Sequence, residues 1–255
     1  MRSYLALLGP LAMLAAAPAA AQHISYETIE PEITLPTGGQ RNIAANAGTA
    51  GTAGGAIKAL ASYGPFRVID AGRAALVDST DSRSPEAFSA MLRDYPGIAT
   101  LDLVECPGTY DDLANLRLGR MIRAQGIATR VPRGGSVRSG AVELFLAGVR
   151  RSVDAGAEFA VHSWLDVDGH EPGDYDAAAP SNRRYLDYYN QMGMSPIEAE
   201  AFYAMTNSVP FDSARWFGAG VMGLWVQFDE VSMPDELAQR ARVTFAPVTF
   251  AYAGD

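Results

Sequence analysis

The chain has 255 residues, 48% of them hydrophobic, a formal net charge of −9 and a single cysteine, Cys106. That length suits one domain with a sizeable core plus a tail, and one thiol excludes an intramolecular disulfide. The acidic balance argues against nucleic acid or an anionic lipid surface as partner, since both would repel it.

Residues 1–21 read as a cleavable signal peptide. Arg2 supplies the positive end, Tyr4 to Ala17 a short apolar run, and Ala19, Ala20 and Ala21 a small-residue cleavage site before Gln22. The expectation is a periplasmic or otherwise exported protein, cleaved after Ala21 and not inserted in a membrane afterwards. Residues 22–63 read as a low-complexity leader: Pro31, Pro36, Gly38 and Gly39 precede an Ala/Gly/Thr-rich stretch, Ala44 to Ala56, with no large apolar residue. Such composition buries too little surface to offset its ordering entropy. Part of Ile57 to Ser62 is compatible with a helix.

From residue 64 to about 230 strands and helices alternate, and residues 231–255 form a polar C-terminal extension. Phe66 to Asp70 and Ala74 to Asp78 read as strands. Ser84, Pro85 and Glu86 open a helix as N-cap, first-turn proline and first-turn acid, and it runs to Asp94. Ile98 to Val104 reads as a buried strand, and Asp111 to Gln125 as an amphipathic helix stopped by Gly126. Ile127 to Val131 is a further strand, and Ser139 to Ala147 a helix apolar nearly all round, hence buried. Ala157 to Val161 is a strand ending at His162, followed by an acidic loop over 163–177. Helices are expected at Asn182 to Met192, Pro196 to Met205 and Asp212 to Phe217, then a strand from Val221 to Phe228. The alternation predicts an α/β fold with a largely parallel sheet.

Three points in this pattern bear on chemistry: Cys106-Pro107-Gly108 after a buried strand, Ser139-Gly140 opening a buried helix, and His162 ending a strand. A serine at a helix start lies among unpaired backbone N–H groups that can stabilise an oxyanion, and a histidine fixed at a strand end can take its proton. Each also has a plain structural reading, as N-cap, hydrogen-bonded core histidine and turn glycine.

The run from Leu101 to Gly108, continued by Leu116 to Thr129, resembles the ClpP/crotonase superfamily, and more narrowly the exported ClpP-like proteins of bacteria. Ser139 to Gly148 resembles that family's nucleophile helix, and Val161-His162-Ser163 its histidine strand. The likeness covers about residues 65–225. It implies a fold of repeated β-β-α units with flanking helices, Ser139 as nucleophile, His162 as general base, and the backbone N–H groups of Gly108 and Gly140 as oxyanion hole. It also implies a peptide or small acyl substrate, no cofactor, and self-association through the helices around the core.

Two departures stand out: Thr109 replaces the second glycine of the turn, and the family's aspartate has no aligned match. Asn207 and Asp212 are the nearest candidates for a third member. The resemblance therefore leaves two functions open: a serine hydrolase acting on peptide or related acyl bonds, or an inactive ClpP-like module for binding or assembly. A crotonase acting on an acyl thioester is a weaker third, because coenzyme A is cytoplasmic. A Ser-Lys dyad is disfavoured, since the only lysine, Lys58, lies in the leader.

Glu143, one turn after Ser139, is either a site residue with a raised pKa, half of an ion pair with Arg138 or an arginine of the preceding helix, or part of an exposed edge of the helix. The acidic run Asp166 to Asp174 matches a calcium loop only in part and reads as a solvated loop. One cysteine and two histidines beyond the leader are too few for the usual zinc site.

Overall fold

A computed structural model of the chain describes residues 40–43 and 58–228. The signal-peptide segment, most of the leader and the C-terminal extension lie outside these residues. In chain order the elements are β1 (Arg41–Asn42), β2 (Ala61–Tyr63), β3 (Phe66–Val68), β4 (Arg73–Leu76), α1 (Ser84–Asp94), β5 (Thr100–Leu103), β6 (Glu105–Cys106) and β7 (Gly108–Thr109). They continue with α2 (Asp112–Ala124), β8 (Ala128–Val131), β9 (Ser136–Arg138), α3 (Ala141–Ala147), β10 (Arg151–Val153), β11 (Glu158–Val161), α4 (Pro180–Gln191), α5 (Pro196–Thr206), β12 (Arg215–Gly218) and α6 (Ala219–Met222).

The strands form a six-stranded sheet in the order β10-β8-β5-β4-β3-β2, a four-stranded sheet in the order β12-β11-β9-β6, and the short pair β1-β7. The larger sheet is parallel from β10 to β4, and the smaller one is parallel from β11 to β6. A repeat underlies this arrangement. Each of β5/β6, β8/β9 and β10/β11 sends its first strand to the large sheet and its second to the small one before a helix follows. The fold is thus mixed α/β, with largely parallel sheets and flanking helices, as the alternation of elements predicts.

Local chemistry explains most element ends. Asp111 caps α2 by accepting the N–H of Ala114 at 3.0 Å, and Gly126, at φ +68°, lets the chain leave that helix. Ser84 is not the cap of α1. Arg83 holds that position, and the Ser84 hydroxyl instead accepts the Asp81 N–H and donates to Asp81 Oδ1, both at 2.9 Å.

Two expected elements near the end of the domain are reversed. The second half of the predicted helix Asp212–Phe217 lies in strand β12, paired antiparallel with β11, where Phe217 stacks on Phe159 with ring centroids 5.9 Å apart. The predicted strand Val221–Phe228 begins instead as α6 and continues in turns, with Met222 and Val226 buried at a helical spacing. Ala61–Tyr63 is a strand against β3 rather than a helix.

Every residue of α3 is buried, and the helix packs on α2. Gly119 of α2 makes the neighbourhood of α3 tight: a Cβ there would stand 2.0 Å from the Tyr188 hydroxyl oxygen. That hydroxyl donates to the Glu143 carbonyl at 2.6 Å, so it cannot move aside freely. Gly119→Ala is expected to cost about 1–3 kcal/mol of stability, measured by denaturant unfolding.

Candidate active site

Strand β9 delivers Ser139 to the head of α3. The expected start of the helix at Ser139 is displaced to Ala141, with Gly140 as cap residue, and Ser139 sits in the turn between. Its φ of +53° makes it the sole non-glycine residue in the left-handed region among the described residues. A serine held there stores of order 1–3 kcal/mol of strain, which the surrounding bonds must hold in place. The Ser139 N–H donates to the Ala160 carbonyl at 2.7 Å, and the Ser139 carbonyl accepts the Val142 N–H at 3.0 Å.

His162 follows β11, the strand beside β9, and this adjacency brings the two side chains together. Ser139 Oγ lies 2.5 Å from His162 Nε2. His162 Nδ1 lies 2.8 Å from the main-chain carbonyl oxygen of Phe211. A carbonyl can only accept, so the ring proton is on Nδ1, and the Nε2 lone pair faces the Ser139 hydroxyl. That is the tautomer a general base requires.

Neither candidate third member reaches the imidazole. Asn207 donates to the Tyr203 carbonyl and accepts from Arg41, and Asp212 is exposed, its carboxylate accepting from the Ser213 hydroxyl. The Phe211 carbonyl takes the orienting place without supplying charge. Burial, followed by the positive charge of Arg41, pushes His162 down to about 4.

The turn carrying Gly140 lies against the residue that follows Gly108. Gly108 has φ +130°, and a Cβ on Gly140 would stand 2.6 Å from Thr109 Cγ2, so the Pro107–Thr109 turn abuts the Ser139–Gly140 turn. Asn115 ties them together through Thr80, whose N–H donates to the Gly108 carbonyl at 3.0 Å. Its Nδ2 donates to the Gly140 carbonyl at 2.6 Å, and its Oδ1 accepts the Thr80 hydroxyl at 2.8 Å.

Composition alone does not point to Arg41. Although the leader reads as too poor in apolar residues to join the core, Gln40 to Ile43 lies within the domain. Arg41 is 1% exposed, and its Nη1 donates to Glu143 Oε1 at 2.8 Å. Its Nη2 donates to Asn207 Oδ1 at 2.7 Å, and its guanidinium lies 4.9 Å from the centre of the Tyr185 ring.

Glu143 is therefore half of an ion pair, but with an arginine 102 positions upstream rather than with Arg138 or the preceding helix. Arg138 binds Glu105, the Ser136 hydroxyl and the Ile43 carbonyl. Burial raises Glu143 above the usual carboxylate range, with Arg41 and the Tyr189 hydroxyl pulling it back.

Burial also raises Asp112 to about 7, with Arg41 and the Tyr185 hydroxyl opposing the shift. Because the folded value exceeds the unfolded one, this group favours folding fully only below about pH 4, and its contribution declines up to about pH 7. Asp112→Asn should remove that decline from the pH dependence of stability, read as the difference between the two unfolding curves from pH 4 to 8.

Two other expectations concern residues outside this cluster. The Cys106 thiol is buried and donates to the Leu76 carbonyl, and burial pushes it well above its ordinary value, so it is not a nucleophile. Asp166, Asp168 and His170 bring polar atoms within 4.8 Å of one another. Asp166 is the hub of that loop: it accepts the N–H groups of Asp168 and His170 at 2.9 and 2.8 Å and the Tyr175 hydroxyl.

No protein-family model matches the chain, and no curated protein matches it in sequence. Among solved structures it is similar to ClpP1 from Listeria monocytogenes, in a point-mutant form (13% identity, 66% of this chain and 95% of that one, TM-score 0.45). It is also similar to the ClpP protease catalytic domain from Plasmodium falciparum (14% identity, 63% and 84%, TM-score 0.44). A third similar structure is the 1510-N membrane-bound stomatin-specific protease, a mutant in complex with a substrate peptide (14% identity, 65% and 76%, TM-score 0.42). Among the described residues no helix is long and apolar enough to cross a membrane.

Proposed function

We propose that the chain is an exported ClpP-like serine hydrolase that cleaves a peptide or related acyl bond through Ser139 and His162. The observation that carries this reading is the 2.5 Å contact between Ser139 Oγ and an Nε2 whose lone pair is exposed by the Phe211 bond. A serine in a strained turn beside a correctly protonated imidazole is the arrangement nucleophilic catalysis needs.

In the reaction, Ser139 Oγ forms a bond to the substrate carbonyl carbon as its proton passes to His162 Nε2. The leaving amine departs with that proton, and water then hydrolyses the acyl-enzyme by the same base. Gly108 and Gly140 would donate N–H groups to the carbonyl oxygen as it becomes negative.

A second reading, an inactive module for binding or assembly, is favoured by one observation: His162 has a neutral carbonyl where a carboxylate would stabilise the imidazolium.

A fluorophosphonate probe decides between them. Ser139 should be labelled, and Ser139→Ala should abolish labelling. The hydrolase reading falls if labelling survives Ser139→Ala, or if neither the intact chain nor Arg41→Ala is labelled. Export rests on residues 1–21. N-terminal sequencing of the protein recovered from the periplasm or medium should begin at Gln22.

A further inference from the structure

The segment Gln40 to Ile43 is held as an extended peptide would be. On one side Gln40 exchanges both main-chain bonds with Leu165, at 2.7 and 3.2 Å, three residues beyond His162. On the other, Arg41 and Asn42 pair antiparallel with Thr109 and Gly108, and the Ile43 N–H donates to the Pro107 carbonyl at 2.8 Å. The segment thus runs between the loop after the base and the turn beside the nucleophile. The Arg41 carbonyl oxygen lies where a Gly108 Cβ would be, 2.2 Å from that position, so the turn glycine is needed for its approach. Ser139 and His162 are themselves 2% and 1% exposed. Main-chain bonds on both edges with one side chain in a pocket is the general mode by which extended peptides are recognised.

The pocket is chemically selective. A carboxylate from Glu143, an amide oxygen from Asn207 and the face of Tyr185 meet one guanidinium, a set suited to arginine rather than to an apolar side chain. The occupant does not satisfy it fully. Arg41 binds Glu143 through a single N–H, while Glu143 Oε2 and Arg41 Nε are buried without hydrogen-bond partners among the described residues. A guanidinium seated slightly differently could take both carboxylate oxygens as a bidentate pair.

We propose that the pocket of Glu143, Asn207 and Tyr185 is an arginine-recognition subsite, that the substrate is an extended peptide segment carrying an arginine, and that Arg41 of the leader is its intramolecular occupant. This rests on the reading of Ser139 and His162 as a hydrolase site. The segment Gln40–Ile43 occupies the site until a peptide bringing its own guanidinium replaces it. An occupant without that charge would leave Glu143 buried and unpaired.

The test compares labelling of Ser139 by two phosphonate probes matched in reactivity, one bearing an amidinophenyl group and the other a phenyl group. In the full chain both should react slowly. In Arg41→Ala, and in Gln40→Pro, which removes one bond to Leu165 and leaves the pocket intact, the amidine probe should react at least about tenfold faster than in the intact chain. It should also outpace the neutral probe by about tenfold or more, and Glu143→Gln in the Arg41→Ala background should erase that preference. Equal rates for the two probes in both Arg41→Ala, which empties the pocket, and Gln40→Pro, which only loosens its occupant, with Ser139 still labelled, would overturn the subsite and leave the hydrolase reading standing.

If no variant is labelled, the hydrolase reading fails, and calorimetry decides the subsite separately. Nα-acetylarginine amide should bind Arg41→Ala or Gln40→Pro, and the norleucine analogue should not. Absence of that difference overturns the proposal.

Discussion

Glu143→Ala is expected to lower the free energy of unfolding by about 3–5 kcal/mol, because it strands the Arg41 guanidinium in a site that excludes water. Arg41→Ala should cost a similar amount for the opposite reason, leaving the Glu143 carboxylate and Asn207 Oδ1 without the donor that now serves both. The pair itself need not be stabilising relative to an apolar core. Two desolvated charges often do no better than well-packed hydrophobic residues of similar volume. The double variant Arg41→Met/Glu143→Leu should therefore recover much of the loss. Denaturant titration of the intact chain, Arg41→Met, Glu143→Leu and this double variant measures the coupling directly. Equal losses in the single and double variants would show that packing, not charge, holds the segment.

The second large effect concerns the base. His162→Ala should slow labelling of Ser139 by about 10²–10⁴-fold, the usual worth of a positioned proton acceptor. Its pH dependence is unusual for a histidine. With the folded value pushed down to about 4 by burial and then by Arg41, Nε2 stays unprotonated to near pH 5, so the labelling rate should hold level from pH 8 to about 5 and fall near 4. Arg41→Ala should move that fall to higher pH, since it removes a positive charge that opposes the imidazolium. In stability, a depressed value means the contribution of His162 is complete above its unfolded value of about 6.5. It is lost as the pH falls through about 4, amounting to roughly 3 kcal/mol in all. A labelling profile breaking near pH 6.5 in the intact chain would contradict this account of the imidazole.

Much of the frame was legible from the sequence for identifiable reasons. Pro85 and Glu86 mark the start of α1, Asp111 and Gly126 bracket α2, and the unbroken apolar face of α3 announces its burial. The meeting of Ser139 and His162 follows from β9 and β11 being neighbours; the resemblance implies that pairing, whereas β9 itself is not among the expected strands.

What escaped depends on properties that composition does not carry. The positive φ of Ser139 is imposed by bonds to Ala160 and Val142, not by its own type, so a serine before a helix reads as an ordinary cap. Arg41 lies in a segment too poor in apolar residues to look like core, and it is buried by charge and main-chain pairing instead. The reversal of β12 and α6 has a similar cause. Tertiary stacking of Phe217 on Phe159 overrides local preference.

The Phe211 carbonyl that sets the proton on His162 belongs to the main chain, and every amino acid at position 211 would carry it. An alanine scan would pass over this group in silence, and no single codon change deletes it. Only its direction can be altered, through the bonds that fix the loop, such as the one from the Phe211 N–H to Glu171 Oε1 at 3.0 Å. Where a side-chain acid can be lost in one mutational step, this orienting group is protected by the genetic code itself. Its weakness and its durability have the same origin: it is a dipole shared by every peptide bond.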